Sequence, residues 1–499
     1  MAITTAAATA KNAACSKIGK PSCAILARFL ESTSPMPVST WFLMPLWCAR
    51  FSFCLPKCKS ALIVKKLNKL SPNPRLAAAN VTRCPKSSPE IPLTPTLTLL
   101  IDLDDTLLGN GMDTFIPAYL GKLGQHMAGH FDLQEMPPVM FAATERMFQN
   151  QRPDRTLEET FDPHFYKPLG MQKSSVRGQI DEFYEQEFSK LEGLTHFIPE
   201  AVEFIAQALE RGYRIGIATN PLFPRTAIVQ RLRWAGLDPQ KYPFALIPSY
   251  ETFHFAKPNP AYFAEFLSRI GWPEGPILMI GNDPDHDVRG ANGLGLPVFW
   301  ITELGAEIPD GFPAPTASGA LTDVLPWIDS QPPEQLKAKY ETPSAIIATL
   351  RGCAAALAGM TTEFPHDWWG KCPDPEEWCL TAIICHLRDV EHEINLPRLQ
   401  AITRGENPFI PGVDSDIWAA ERGYKQQNGE KALANFLAAR IETLELLDEL
   451  ATSDWKLPAH HAIFGPTRLD ELAGFMARHD RLHIRQVHKT IETITRLQS

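Results

Sequence analysis

Between positions 97 and 304 the chain alternates short apolar runs with amphipathic stretches. The apolar runs cover residues 97–101, 213–219, 244–247, 277–280 and 297–301. Short runs without polar alternation are typical of strands that are buried on both faces. The amphipathic stretches 199–211 and 261–270 place their apolar residues on one side and predict helices between those strands. Strands that alternate with helices predict an α/β fold, a Rossmann-like parallel sheet covered on both faces.

The C-terminal part of the chain has a longer periodicity. It predicts helices over residues 344–358, 375–401, 429–451 and 468–496. Four long helices with few strand signals predict an all-α four-helix bundle over residues 342–499. The Pro-rich stretch 308–341 has weak periodicity and predicts a linker with some local structure. We therefore expect an α/β domain over 95–307, a linker and a bundle.

The first 94 residues differ from the rest in charge. They hold 13 Lys or Arg and two acids, a balance of +11, so the remaining chain must carry −20 to give the total of −9. This basic stretch fits an organelle transit peptide; an unstructured leader, or upstream sequence joined by a wrong start codon, is the alternative. The cysteines form no CxxC pair, which favours a reducing compartment. We expect a cytoplasmic protein, or an organelle-targeted one if the leader is a transit peptide.

Two carboxylates follow the first apolar run directly. Asp102 and Asp104 stand two residues apart at the end of a predicted buried strand. In such a pair one carboxylate can attack as a nucleophile while the other moves a proton. Paired carboxylates also suit Mg²⁺, which prefers oxygen ligands and binds substrate phosphate.

Further polar residues follow the later runs, where the carboxyl ends of parallel strands gather ligand-binding groups. Thr219 and Asn220 end the second run and offer a hydroxyl and an amide to a phosphoryl oxygen. Lys257 adds a positive charge for a developing anion. The acidic turn after the fourth run contains Asp283 and Asp287, which could hold the metal.

These four segments, in this order, resemble the four motifs of the haloacid dehalogenase (HAD) superfamily over residues 97–304. The resemblance implies that Asp102 forms an aspartyl-phosphate, that Asp104 is the general acid/base, and that Thr219 and Lys257 bind the phosphoryl group. It places Mg²⁺ on Asp102, the carbonyl of Asp104 and Asp283, with Asp287 in support. Residues 108–195 resemble the helical cap of this superfamily. An acid at position 104 favours phosphoryl transfer over dehalogenation, because a leaving oxygen needs a proton.

Three histidines of the helical part could share one metal ion. His479 and His483 are four residues apart on one predicted helix and face the same way, and His386 lies on another helix. Three imidazoles leave coordination positions open, as in a catalytic site. The residues around His386 and the terminal His-x-x-x-His resemble the DinB/YfiT-like four-helix family over about 342–498. That resemblance implies a divalent metal, Zn²⁺ or Ni²⁺, and a low-molecular-weight thiol as a partner.

The leading hypothesis is a Mg²⁺-dependent phosphatase of a small phosphorylated metabolite, joined to a metal-binding bundle. One alternative makes the bundle the main enzyme, a thiol transferase or hydrolase. Another makes it a non-enzymatic module that forms a homodimer. The acidic charge of residues 95–499 argues against nucleic acid or an anionic membrane as a partner. The sequence contains no run of 18 apolar residues, so we expect no transmembrane helix.

Overall fold

The computed structural model describes residues 96–130, 134–303, 305–405 and 407–498. These residues belong to one compact unit, Glu90–Ser499. The predicted leader over 1–94 lies outside the described residues. The strands are β1 (Thr98–Ile101), β2 (Leu108–Gly109), β3 (His196–Phe197), β4 (Arg214–Ile217), β5 (Ile277–Gly281), β6 (Val298–Ile301), β7 (Ala317–Gly319), β8 (Phe409–Ile410), β9 (Pro458–His461) and β10 (Gly465–Arg468).

A parallel five-stranded sheet in the order β4-β1-β5-β6-β7 forms the centre of the N-terminal half. All four residues of β1 are buried, and Leu99 lies opposite Ile215 and Leu278 in the neighbouring strands. Both faces of the sheet are covered by helices, and its central strands β1 and β5 are buried along their whole length. The helices of this half are α1 (Met112–His126), α2 (Met136–Phe148), α3 (Leu157–Phe165), α4 (Lys173–Glu182), α5 (Pro199–Glu210), α6 (Arg225–Trp234), α7 (Pro260–Arg269), α8 (Gly290–Leu294) and α9 (Val324–Ser330).

The segment between β2 and β3 is a helical insertion, which we call the cap. It contains α1 to α4, followed by a π-helical turn, Phe183–Glu187, and a 3-10 helix, Phe188–Leu194. β2 and β3 pair antiparallel where the chain leaves and re-enters the α/β core. The cap therefore stands on a two-stranded connection beside the end of β1.

Two predictions about this half are wrong. Residues 244–247 are not a strand, although the amide of Ala245 donates to Ile215 and that of Ile217 donates to Leu246 along the edge of the sheet. The predicted linker over 308–341 contains β7 and α9, which belong to the α/β core. The periodicity of this proline-rich stretch does not predict them, because the strand has only three residues and the helix seven.

The C-terminal half is a helical bundle, and the predicted fold class is confirmed in both halves. Thr342 caps the first helix by accepting the amide hydrogen of Ala345, with a proline in its first turn. A π-helical turn, Glu391–Asn395, joins the second and third helices into one long element. The helices are α10 (Pro343–Glu363), α11 (Leu380–Val390), α12 (Leu396–Arg404), α13 (Trp418–Glu421), α14 (Gly429–Asp448) and α15 (Leu469–Gln498).

Helix α10 packs against α7 of the α/β core, so the two halves share one hydrophobic core. A side chain at Gly352 would lie 2.5 Å from the backbone nitrogen of Glu265 and 2.6 Å from the Cβ atom of Ala264. Only glycine permits this close approach. By length and composition α10 could cross a bilayer, but 78% of its apolar window is buried inside the protein, as in a core helix.

Candidate active site and metal site

The polar residues predicted at the strand ends do meet at the carboxyl edge of the sheet. Asp102 follows β1, Thr219 follows β4, and Asp283 follows β5. β1 lies between β4 and β5, so its carboxylate stands between the other two loops. This placement is the usual position of a ligand site in open parallel sheets.

A buried lysine holds the centre of this group. The Nζ atom of Lys257 lies 2.6 Å from Oδ1 of Asp102 and 2.6 Å from Oδ1 of Asp287. Burial raises the pKa of Asp102 to about 7; Lys257 opposes this rise, and the charges of Asp287 and Asp104 add to it. The pKa of Lys257 is raised by the two carboxylates although burial acts against it. The lysine is therefore a fixed cation beside the candidate nucleophile.

Asp104 is held by two donors. Its Oδ2 atom accepts from Nη1 of Arg231 at 2.6 Å, and its Oδ1 atom accepts from Nδ2 of Asn110 at 2.8 Å. Arg231 is 1% exposed, and its guanidinium lies 4.9 Å from the ring centre of Phe223. Neither donor is predicted by the sequence pattern. An arginine on the apolar face of α6, one turn after Ile228, was the available signal.

The two carboxylates Asp283 and Asp287 of the acidic turn after β5 differ in exposure and in their partners. Asp283 is partly exposed, and the hydrogen bond from His286, together with two backbone amides, lowers its pKa although burial opposes this. Asp287 is 1% exposed, and its oxygens accept from Lys257 and from the amide of Asp283. Asp287 therefore positions Lys257 and the Asp283 turn, and its supporting role at a metal site stays a prediction. A Cβ atom at Gly281 would lie 2.2 Å from its carboxylate.

The two residues after β4 have different roles. The hydroxyl of Thr219 is buried and has no hydrogen-bond partner among the described residues. The side chain of Asn220 accepts from the amide of Lys257 at 3.1 Å and donates to its carbonyl at 3.4 Å. Asn220 thus fixes the lysine loop, and a contact of its amide with a phosphoryl oxygen stays a prediction. The free hydroxyl of Thr219 remains suited to that contact, since an unpaired buried hydroxyl is costly.

The donor set fits a divalent cation with oxygen ligands. Asp102, Asp104, Asp283 and Asp287 carry four acidic groups, and Lys257 and Arg231 supply two positive charges among the contacts described above. Lys257 occupies one oxygen of Asp102, and Asp283 is open to solvent on one side. An excess of acidic groups at a strand edge is the environment in which Mg²⁺ binds.

The three histidines of the bundle converge. The Nε2 atom of His479 lies 3.2 Å from Nε2 of His386 and 3.1 Å from Nε2 of His483. A tetrahedral metal with bonds of about 2.0–2.1 Å would separate its nitrogen ligands by about 3.3 Å. Burial lowers the pKa of His386 to about 3 with a contribution from His479, and burial also lowers the pKa of His483. Neutral imidazoles are the form that binds metals.

Neighbouring side chains orient these rings. Gln486 accepts from Nδ1 of His483 at 2.9 Å, which leaves Nε2 of that ring for a metal. The Trp378 ring stacks on His483 with centroids 6.2 Å apart and lies 5.1 Å from His386. The Nδ1 atom of His386 is buried without a partner among the described residues. The cluster fits a three-histidine metal site.

Two family models match the chain. Residues 96–295 match the haloacid dehalogenase-like hydrolases, and residues 320–487 match the DinB superfamily. A phosphoserine phosphatase of Thermus thermophilus is 32% identical over 118 residues, which are 23% of this chain and 45% of that protein. A phosphoglycolate phosphatase of Mesorhizobium japonicum is 30% identical over 120 residues, 24% of this chain and 50% of that protein. The chain spans about half the length of these curated relatives.

Solved structures are more distant. A HAD phosphatase from Thermococcus onnurineus has 16% identity and a TM-score of 0.32, with 47% of this chain and 99% of that one covered. YfiT from Bacillus subtilis has 20% identity and a TM-score of 0.28, with 34% and 93% covered. These likenesses are too weak to add to the family models. On those models, the chain carries a haloacid dehalogenase-like hydrolase domain joined to a DinB superfamily domain.

Proposed function

We propose that the α/β half is a phosphatase of small phosphate monoesters with Asp102 as its nucleophile. The observation that carries this proposal is the arrangement at the sheet edge. A buried carboxylate is fixed by Lys257, and the unpaired hydroxyl of Thr219 ends the neighbouring strand. The two phosphatases that are similar in sequence support the same reaction class.

The proposed reaction has two steps. A carboxylate oxygen of Asp102 attacks phosphorus, the bond to the ester oxygen breaks, and protonated Asp104 gives its proton to the leaving alcohol. Water then attacks the aspartyl-phosphate, Asp104 takes a proton from that water, and inorganic phosphate leaves with Asp102 restored. Lys257 and Thr219 stabilise the phosphoryl oxygens throughout. Arg231 and Asn110 set the direction of the Asp104 carboxylate.

A Mg²⁺ ion would be held by Asp102, the backbone carbonyl of Asp104 and Asp283, and when bound it neutralises charge on the phosphoryl group. Asp287 keeps Lys257 and the Asp283 turn in place. The excess of carboxylates over cations at this edge supports a cation site. Phosphatase activity is therefore expected to require Mg²⁺ and to disappear in a chelator.

The test is a phosphatase assay of the full chain over a panel of phosphate monoesters with and without Mg²⁺. The Asp102→Asn variant keeps the shape of the side chain but cannot form the aspartyl-phosphate. Asp113→Asn, an exposed aspartate at the start of α1, is the matched control. We expect turnover in the wild type and in the control, and none in Asp102→Asn. Turnover that persists in Asp102→Asn would refute the assignment of the nucleophile.

The convergence of three imidazole nitrogens favours a second candidate function, a divalent metal site in the bundle that holds Zn²⁺ or Ni²⁺. Metal analysis of the purified full chain is expected to give one ion for each chain, lost in His483→Ala. His392→Ala, an exposed histidine in the same long helical element as His386, is the control. A metal content unchanged in His483→Ala would contradict the site. A thiol partner, a homodimer through the bundle and a cytoplasmic location remain predictions.

A further inference from the structure

We propose that the phosphatase acts on esters whose alcohol part is uncharged and mostly apolar. The inference rests on the proposed function of the α/β half and names the substrate class of that site. It comes from a cavity of about 300 Å³ between the cap and the α/β core. This is roughly the volume of ten water molecules, room for an alcohol of about ten non-hydrogen atoms.

The cavity has an apolar wall. Helices α1, α2 and α3 contribute aliphatic and aromatic side chains, and the loop that follows Asn220 closes the floor. None of the described residues that line the cavity carries a charge. The hydroxyls of two lining tyrosines bond to each other at 2.8 Å, so they are already paired. The walls include Ile116, Leu120, Leu123, Met140, Phe161 and Phe165.

Three residues of the cavity wall touch the catalytic loops. The sulfur of Met112 lies 4.0 Å from Nδ2 of Asn110, which donates to Asp104. Phe223 lies under Arg231, the partner of Asp104. Phe148 stacks on His286, beside Asp283, with ring centroids 6.0 Å apart. The cavity therefore adjoins the residues that surround Asp104 and Asp283, and we infer that the alcohol part of the ester enters it.

The lining discriminates between classes of ester. A phosphoserine or phosphoglycolate places a carboxylate on its alcohol part, and phosphoserine adds an ammonium group. Such charges would enter the cavity without a partner, which is strongly unfavourable. An alkyl or aromatic alcohol gains free energy by leaving water for this surface. The substrates named for the two similar phosphatases are therefore expected to be poor ones here.

The experiment measures kcat/KM of the full chain with Mg²⁺ on ethyl, butyl and hexyl phosphate, beside phosphoserine and phosphoglycolate. The alkyl esters share a primary alcohol as leaving group, so differences among them report binding of the chain. Each added methylene is expected to raise kcat/KM about fourfold, which corresponds to about 0.8 kcal/mol. Hexyl phosphate should thus exceed ethyl phosphate by about 200-fold, and the charged esters should fall below both.

The Met140→Arg variant places a cation in the cavity and should reduce the hexyl-to-ethyl ratio to below about tenfold. Ala142→Arg, on the exposed face of the same helix α2, should keep the ratio of the wild type. If Met140→Arg does not fold, the wild-type series still decides. An active enzyme with a flat series, or with a preference for the charged esters, overturns the inference and leaves the phosphatase proposal intact. No turnover of any ester overturns both.

Discussion

Replacement of Lys257 by methionine tests whether the active-site cluster is a buried ion network. The lysine side chain is 2% exposed and contacts two carboxylates, so its loss leaves Asp102 and Asp287 buried with no cation between them. Methionine has a similar volume, and a cavity effect is therefore small. Removal of one partner of a buried pair costs about 3–5 kcal/mol of the free energy of unfolding.

Thermal unfolding in the presence of a chelator measures this effect. For a domain of this size 1 kcal/mol corresponds to about 2–4 °C, so we expect the Tm of Lys257→Met to fall by roughly 6–20 °C. Lys241→Met, at an exposed lysine, should change stability by less than about 0.5 kcal/mol. Adding Asp102→Asn to Lys257→Met removes one of the two unpaired charges and should restore about half of the loss. Mg²⁺ should reduce the difference in Tm between the wild type and Lys257→Met, because it supplies positive charge to the carboxylates.

Two results would refute this reasoning. One is a Lys257→Met protein that unfolds within about 1 °C of the wild type in chelator, because removal of one partner should leave the buried carboxylates unpaired at a cost in stability. The other is a double variant no more stable than Lys257→Met, because the loss would then not come from unpaired charge. Activity gives an independent reading. Loss of the fixed cation should lower kcat by about 10²–10³-fold even where the protein remains folded.

Three further variants test single contacts. Arg231→Gln should lower kcat on ethyl phosphate about tenfold or more beyond its effect on nitrophenyl phosphate, because a poor leaving group needs the general acid. Equal losses of kcat on the two esters would contradict a positioning role for Arg231. Arg231→Lys should restore part of the difference between the two esters. Thr219→Val removes an unpaired buried hydroxyl, so its free energy of unfolding in urea should be about 1 kcal/mol higher than that of the wild type, while kcat/KM falls at least tenfold. A variant less stable than the wild type would contradict the unpaired state of the hydroxyl. Gly281→Ala should lose about 1–3 kcal/mol in the same urea assay, since its Cβ would lie 2.2 Å from a buried carboxylate, and unchanged stability would show that the turn adapts.

Periodicity was sufficient for the elements with a strong apolar pattern. The apolar runs predict β1, β4, β5 and β6 to within two residues of their ends, since a continuously buried strand has a continuous apolar run. It was not sufficient for residues 244–247, which run along the edge of the sheet, or for β7, which has three residues among prolines. Edge and short segments are stabilised by their neighbours, and neighbours are not visible in a local pattern.

For the candidate site, too, the local sequence predicts only part of what the structure contains. Local sequence alone predicted carboxylates after strands and histidines at helical spacing, because the chemistry depends on residue type and near position. It could not distinguish Asp283 from Asp287, since only the folded turn shows that one is exposed and the other contacts Lys257. It also missed Arg231, which reaches Asp104 across 127 positions of the chain.

The sequence by itself determined the two fold types, the order of the four candidate motifs and the residue types of the two candidate metal sites. The tertiary structure alone decided how the halves meet, through Gly352 against α7, and which face of the cap lines an apolar cavity. The reason is physical. Periodicity and residue type act over a few positions, whereas packing, burial of charge and the polarity of a cavity depend on residues brought together from distant parts of the chain.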